Sequence, residues 1–245
     1  MRSLSWQNHI IRKCSALNRL FVYLLQFILT LTIPAILVLF AARSVMSETW
    51  LNYEYERDDF PSDLFGWEDG VRLEYGPYGI RYILSNEDIS LLSDLIIDGE
   101  PAFTESELAH MQDVQIVAQT AFRVLYGLLL FMLAAAVILF AQPETYPLFW
   151  RAIWHGGILT IALAALLLTI AAISWDFFFD TFHALFFAEG SWQFYTSDTL
   201  IRLYPQQFWF DSAMLAGAIT IGGAPFAMLL ARILGRRGKI PGRST

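Results

Sequence analysis

Four apolar runs organise this chain, near residues 21–42, 124–141, 152–173 and 213–234, and the stretches between them differ sharply in polarity. Each run is as long as the ~18 residues or more that a helix needs to cross a hydrocarbon layer. Outside the runs, finer periodicities predict smaller elements. Thr104 followed by Glu107 fits a capping box, and no Gly or Pro interrupts the chain from there to Gly127. One long helix is therefore expected from about Thr104 to Ala141, starting in a polar environment and entering the membrane near Arg123. In GVRLEYGPYGIRYIL, residues 70–84, Val71, Leu73 and Tyr75 share one face, and Ile80, Tyr82 and Leu84 another, about a Gly76-Pro77 turn signal; this predicts a small hairpin. SNEDISLLSDLIIDG, residues 85–99, reads as a helix with Ser85 as N-cap and Gly99 as its stop. In the aromatic segment 174–212, Asp176, Asp180 and His183 fall at i, i+4 and i+7, one polar stripe on an aromatic helix of the kind that lies in the membrane plane.

Charge orients this pattern. Residues 1–20 carry Arg2, Arg12, Lys13 and Arg19 with no acid, and residues 235–245 carry Arg236, Arg237, Lys239 and Arg243 with none either. Residues 43–118 carry seventeen acids and four bases. The positive-inside rule then predicts two cytoplasmic termini and an external acidic segment. The expected organisation is a cytoplasmic N-terminus (1–20), a first span (21–42), an extracytoplasmic acidic segment (43–118), a second span (119–141), a cytoplasmic turn (142–151), a third span (152–173), an extracytoplasmic aromatic segment (174–212), a fourth span (213–234) and a cytoplasmic tail (235–245). The fold class is an all-α polytopic membrane protein: four transmembrane helices and a small, mostly helical extracytoplasmic domain with a short hairpin. Pro34 is tolerable inside the first span, and Ala213, Gly217, Gly222 and Gly223 permit close helix packing in the fourth.

With 56% hydrophobic and 16% charged residues, the chain is not a soluble domain. Its bases flank the spans instead of forming a groove, which argues against nucleic acid. The first apolar run is longer than the ~7–15 residues of a signal-peptide core, so it reads as a retained anchor. Cys14 is the only cysteine, precedes the first span, and is expected on the reducing side, away from external chemistry.

Four histidines remain as candidates. His9 falls in a basic cytoplasmic stretch, and His155 at the start of the third span. His110 and His183 are the external pair, and each has acids at helical spacing: Glu107 and Asp113 around His110, Asp176 and Asp180 before His183. A carboxylate beside an imidazole holds one tautomer and favours the charged form, so both histidines are expected to titrate above their ordinary value. The bland reading is a set of surface ion pairs on amphipathic helices; two such pairs on one side of one membrane protein favour a site. Metal ligation by the two histidines and neighbouring acids is a weaker alternative, because HExxH, HxH and cysteine ligands are all missing from the sequence. No GxSxG, Walker-A or GxGxxG motif occurs, so no nucleotide or other cofactor is expected. Ionisable groups are nearly missing from the spans, which disfavours an ion pathway.

FTESELAHMQDV (103–114) and FHALFFAEGSWQFYTSDTLIRLYPQQFW (182–209) resemble the signatures of a family of bacterial four-span integral membrane proteins that includes the lipoprotein intramolecular transacylase, Lit. The resemblance extends over nearly the whole chain and is weakest across residues 43–100. It implies an acyltransferase that moves an acyl chain from the diacylglyceryl group of a bacterial lipoprotein to the α-amine of the same N-terminal cysteine, giving a lyso-form lipoprotein. It also implies that His110 and His183 match the family's essential histidines. On this reading His110 and His183 are the acid–base pair, Asp113 and Asp180 orient them, and Asp176, Trp192 and Tyr204 meet substrate. The partners are diacylglyceryl-modified lipoproteins and membrane lipid, and the location is the cytoplasmic membrane with the active face outside. Another lipid-directed esterase at the same site, and a non-enzymatic scaffold binding a partner through its acidic segment, are the alternatives.

Overall fold

The computed structural model describes the backbone from Arg2 to Arg237 and side chains from Arg19 to Arg236, Asp69 excepted. The side chains of His9 and Cys14 therefore lie outside the described residues, as do Lys239 and Arg243. Long helices dominate: α1 (Arg2–Val45), α5 (Glu105–Phe140), α6 (Tyr146–Ile173) and α9 (Gln206–Arg237). All four are long and apolar enough to cross a membrane. Short elements stand between them: α2 (Glu48–Tyr55), α3 (Asp69–Leu84), α4 (Ser90–Ser93), strands β1 (Ile96–Ile97) and β2 (Glu100–Pro101), α7 (Trp175–Phe186) and α8 (Thr199–Leu203). The chain divides into two compact units.

The first unit comprises residues 1–37, 126–164 and 220–245. Its core is hydrocarbon: Leu25, Leu29 and Ile33 of α1, Ala135 and Leu139 of α5, Phe149, Ala152 and Ile153 of α6, and Ala231 of α9. Lipid is as apolar as these side chains, so steric fit and not hydrophobic burial must hold the helices together. The glycine pair of α6 shows how. A Cβ at Gly156 would sit 2.6 Å from Cβ of Ile33 and 2.9 Å from the carbonyl oxygen of Thr30, and one at Gly157 would meet Cγ of Met228 at 2.5 Å. Buried Thr160 satisfies its own hydroxyl by donating to the Gly156 carbonyl at 2.8 Å.

The second unit comprises residues 38–125 and 165–219. Leu51, Tyr82, Leu92, Phe103, Met111, Phe122, Leu203 and Phe208 are prominent in its core. Here the expected small elements change. Residues 70–84 form no hairpin: they lie in α3, with Pro77 inside the helix. The Gly76-Pro77 turn signal is overridden by tertiary packing. Tyr204 inserts against this face and donates its hydroxyl to the Gly76 carbonyl, in space that a side chain at Gly79 would fill, since a Cβ there would meet the Tyr204 hydroxyl at 2.1 Å. Nor do residues 85–99 form one helix. Ser85 is the C-cap of α3 and not an N-cap, and only the four residues of α4 are helical before β1. The hairpin falls here instead, with Ile97 opposite Glu100. Asp98 and Gly99 both have positive φ, 56° and 87°, as a two-residue type I′ turn requires. Asp-Gly is a strong hairpin signal, and Gly99 ends a strand instead of a helix.

The capping box at the start of α5 is formed, with the Thr104 N–H donating to Glu107 Oε2 at 2.8 Å and the Glu107 N–H to Thr104 Oγ1 at 3.3 Å. Glu107 is 1% exposed, and its other oxygen accepts the Leu200 N–H at 2.6 Å. That bond is one of several polar anchors on residues 200–204. Arg72 donates to the Arg202 carbonyl at 2.8 Å, and the Tyr55 hydroxyl donates to the Leu203 carbonyl. The Arg202 guanidinium grips Asp63 through two bonds of 2.9 and 2.8 Å and lies 3.4 Å from the ring centre of Trp67. Burial pushes the Asp63 carboxyl up, yet Arg202 and the N–H groups of Trp67 and Phe65 hold it down at about 2. The short helix α8 is thus fixed by charge and backbone bonds.

Candidate active site

Two helices of the second unit each supply one histidine. His110 lies in the second turn of α5, where the capping box starts the helix and the buried Glu107 sets its rotation. At ~1.5 Å per residue the 36 residues of α5 exceed a ~30 Å hydrocarbon layer by well over a third, and the polar end that bears His110 is the excess. His183 lies in α7, an amphipathic aromatic helix tied to α9 by Gln206 Nε2, which donates to Asp176 at 3.2 Å, and by Trp175 edge-on to Phe210 at 5.3 Å.

The structure brings the two imidazoles together. Their ring centres are 6.3 Å apart and the rings are inclined by 29°. At that separation both rings are close enough to reach one reacting group. Aromatic rings enclose the pair. Phe187 and Phe194 meet His110 edge-on at 5.0 and 5.4 Å, and Trp192 stacks on His183 at 4.9 Å. Phe179 lies 4.0 Å from His183.

Burial reverses the expected titration. His110 is 6% exposed, and desolvation, reinforced by the charge of His183, pushes its imidazole well below the ordinary value against a weaker pull from Asp113. Desolvation also lowers His183, opposed by the Phe179 carbonyl and by Asp180. The expectation that flanking carboxylates raise these values is corrected: Asp113 and Asp180 are exposed and screened, and desolvation outweighs them. Burial thus favours the neutral form of both imidazoles over that of a free histidine.

Tautomers follow from the bonds. His183 Nδ1 lies 2.8 Å from the Phe179 carbonyl oxygen, one helical turn back; a carbonyl only accepts, so Nδ1 carries the proton and Nε2 keeps its lone pair. Asp180 is not its hydrogen-bond partner; a backbone carbonyl orients this ring. Two buried atoms beside the pair have no hydrogen-bond partner among the described residues: Nδ1 of His110 and the indole Nε1 of Trp192. In a finished core such atoms are paired, and leaving them unpaired is costly. Asp176 is exposed and bonded to Gln206, and Tyr204 is buried in the core on the Gly76 carbonyl, making ring contacts with Phe208 and Trp209. Phe179, Phe187 and Phe194 were not singled out from the sequence; the signal available was their helical or loop spacing from His183 within the aromatic segment. Among the described residues no three His, Cys, Asp or Glu side chains converge as a metal would need.

An all-α scaffold with four helices long and apolar enough to cross a membrane, and a close pair of imidazoles walled by aromatic rings, defines a polytopic membrane protein with a candidate site at that pair. The model of the lipoprotein intramolecular transacylase family, Lit, matches residues 24–209, and the chain belongs to that family. It is accordingly a membrane acyltransferase of the lipoprotein transacylase type. A protein of Aquifex aeolicus (strain VF5), described as uncharacterized, is 30% identical over 198 residues, 80% of this chain and 88% of its own length. The fold is shared with the membrane-integral Lit of Bacillus cereus, solved in meso: TM-score 0.76 at 21% identity, over 90% of this chain and 98% of that one. A variant of the same Bacillus protein with one histidine changed to alanine superposes with a TM-score of 0.69, over 92% of this chain and 98% of that one, at 21% identity.

Proposed function

We propose that this protein transfers an acyl chain from the diacylglyceryl group of a bacterial lipoprotein to the α-amine of the same N-terminal cysteine, at the outer face of the cytoplasmic membrane. The close, buried imidazole pair in a chain of this family is the observation that carries the reading. His183 is the base: Nε2, free because Nδ1–H is held by Phe179, takes a proton from the attacking amine. The N–C bond forms as the C–O bond breaks, and the imidazolium returns the proton to the departing glycerol oxygen. His110, kept neutral by burial, donates an N–H to the carbonyl oxygen as it gains charge, as does the unpaired indole N–H of Trp192. Asp113 and Asp180 favour the transient imidazolium through their field. Asp176 and Tyr204 support the walls: the first through Gln206, the second through α3.

Ester-to-amide transfer is downhill and needs no nucleotide. The amine and ester belong to one molecule, so proximity is supplied by the substrate itself. Basic termini and an acidic segment 43–118 support cytoplasmic ends and an external site. Mass spectrometry of lipoprotein N-termini tests the reading. Cells with the gene yield the N-acylated lyso-form, and cells without it do not; identical N-termini in both would overturn it.

A further inference from the structure

The first unit holds a second built feature, at the start of α6 and the end of α9. A cleft of about 390 Å³ is lined there by Trp150, Arg151, Trp154, His155, Arg232 and Arg236, together with small residues. We propose that this cleft binds the phosphate of an anionic phospholipid headgroup.

Helical geometry makes the cleft one-signed. Arg151, Trp154 and His155 stand at i, i+3 and i+4 on α6, and Arg232 and Arg236 at i and i+4 on α9, so each helix turns a basic stripe to the same space. No acid lines it, and none of the three arginines makes an ion pair with a described residue. Arginine forks suit phosphate oxygens, which accept two parallel N–H bonds. Trp150 also walls the cleft, and its indole Nε1 has no hydrogen-bond partner among the described residues. Its position is fixed by the glycine opposite, because a Cβ at Gly235 would come within 3.1 Å of Trp150 Cβ. The negative end of α9 is blunted as well, since the Tyr146 hydroxyl donates to the Leu234 carbonyl at 2.9 Å.

Lipid is favoured over a free anion by place. The membrane-crossing stretches of α6 and α9 run from Tyr146 and to Arg236, so the cleft lies where hydrocarbon gives way to headgroups, and two tryptophans wall it as they do that boundary. Arginines that merely flank spans would give a diffuse attraction with no dependence on which arginine is removed.

The purified full-length protein, in a zwitterionic detergent, is titrated with phosphatidylglycerol, phosphatidylcholine or inorganic phosphate and followed by native mass spectrometry and thermal unfolding. Phosphatidylglycerol should be retained, weakening with salt, and each of Arg151→Gln, Arg232→Gln and Arg236→Gln should weaken it about fivefold. Arg19→Gln, an exposed basic residue outside the cleft, should not. Equal binding of phosphatidylcholine, retention in the triple variant, or the same loss from Arg19→Gln would overturn the site. Inorganic phosphate that stabilises as well as phosphatidylglycerol at equal concentration would overturn the lipid assignment.

Discussion

The two units are built on opposite principles. In the first, the core is aliphatic and aromatic, and buried Thr160 turns back on its own helix. In the second, Glu54, Arg72, Glu107 and His110 are buried, and the first three are bonded to other elements or neighbouring turns. Arg57 joins Glu54 and Asp211 at 3.0 Å each, and Arg202 joins Asp63 at 2.8 Å. The first unit is held by surfaces that fit, the second by charges that must be paired. Fit degrades by degrees as volumes change, whereas a pair is present or absent. Each unit also keeps buried polar atoms without a partner among the described residues: Trp150 Nε1 in the first, and His110 Nδ1 and Trp192 Nε1 among those in the second.

The strongest test of this contrast is at the pair itself. His110→Ala or His183→Ala should lower acyl transfer by about 10²–10⁴-fold, the contribution of a positioned acid–base group, with the protein still accumulating in the membrane. Lipoprotein N-terminal mass spectrometry beside a membrane immunoblot reads both. Trp192→Phe keeps the stacking on His183 and removes only the N–H; a loss in kcat with KM unchanged would mark a donor to the transition state.

Next in size is the polar wiring. Asp63→Ala leaves the partly buried Arg202 without its carboxylate and should cost about 2–3 kcal/mol in thermal unfolding. A variant as stable as the parent would show that the second unit, too, is held by shape. In the first unit, Gly156→Leu should cost about 1–3 kcal/mol by forcing α6 off Ile33, whereas Gly222→Leu, with nothing within 4 Å of its Cβ position, should be close to neutral.

The smallest effect is in the pH profile, and its sign follows from the lowered imidazoles. A base must be unprotonated, and both histidines lose their protons below their ordinary value. With both imidazoles shifted toward lower pH, the rise in rate above neutrality comes mainly from the substrate amine, with pKa ~8. Initial rates should climb by at most about tenfold per pH unit between ~6.5 and ~7.5, a slope of one on a logarithmic plot. A slope of two would mean an imidazole titrating in the same range, raised as its neighbouring acids alone would make it.

The spans, their number and the long helix from the Thr104 capping box were legible in the chain because each rests on a property of consecutive residues: apolar length, helical period, or a cap three residues from its partner. His110 and His183 could be picked out for the same reason, by acids at helical spacing and by the likeness of HMQDV and FHALFF to a known family. Residues 70–99 were misread because local signals compete there. Gly76-Pro77 is a turn in isolation and a helix interior once Tyr55 and Tyr204 pack on it, and Asp98-Gly99 was available as a turn but lay inside an apparently helical run. The distance between the imidazoles, 6.3 Å across 73 positions of sequence, and the carbonyl that sets the His183 tautomer belong to the tertiary structure. So does the direction of titration. Sequence neighbours predict a raised imidazole because they show its acids; only the folded chain shows that Phe187, Phe194 and Trp192 exclude the water that would make those imidazoles easy to charge.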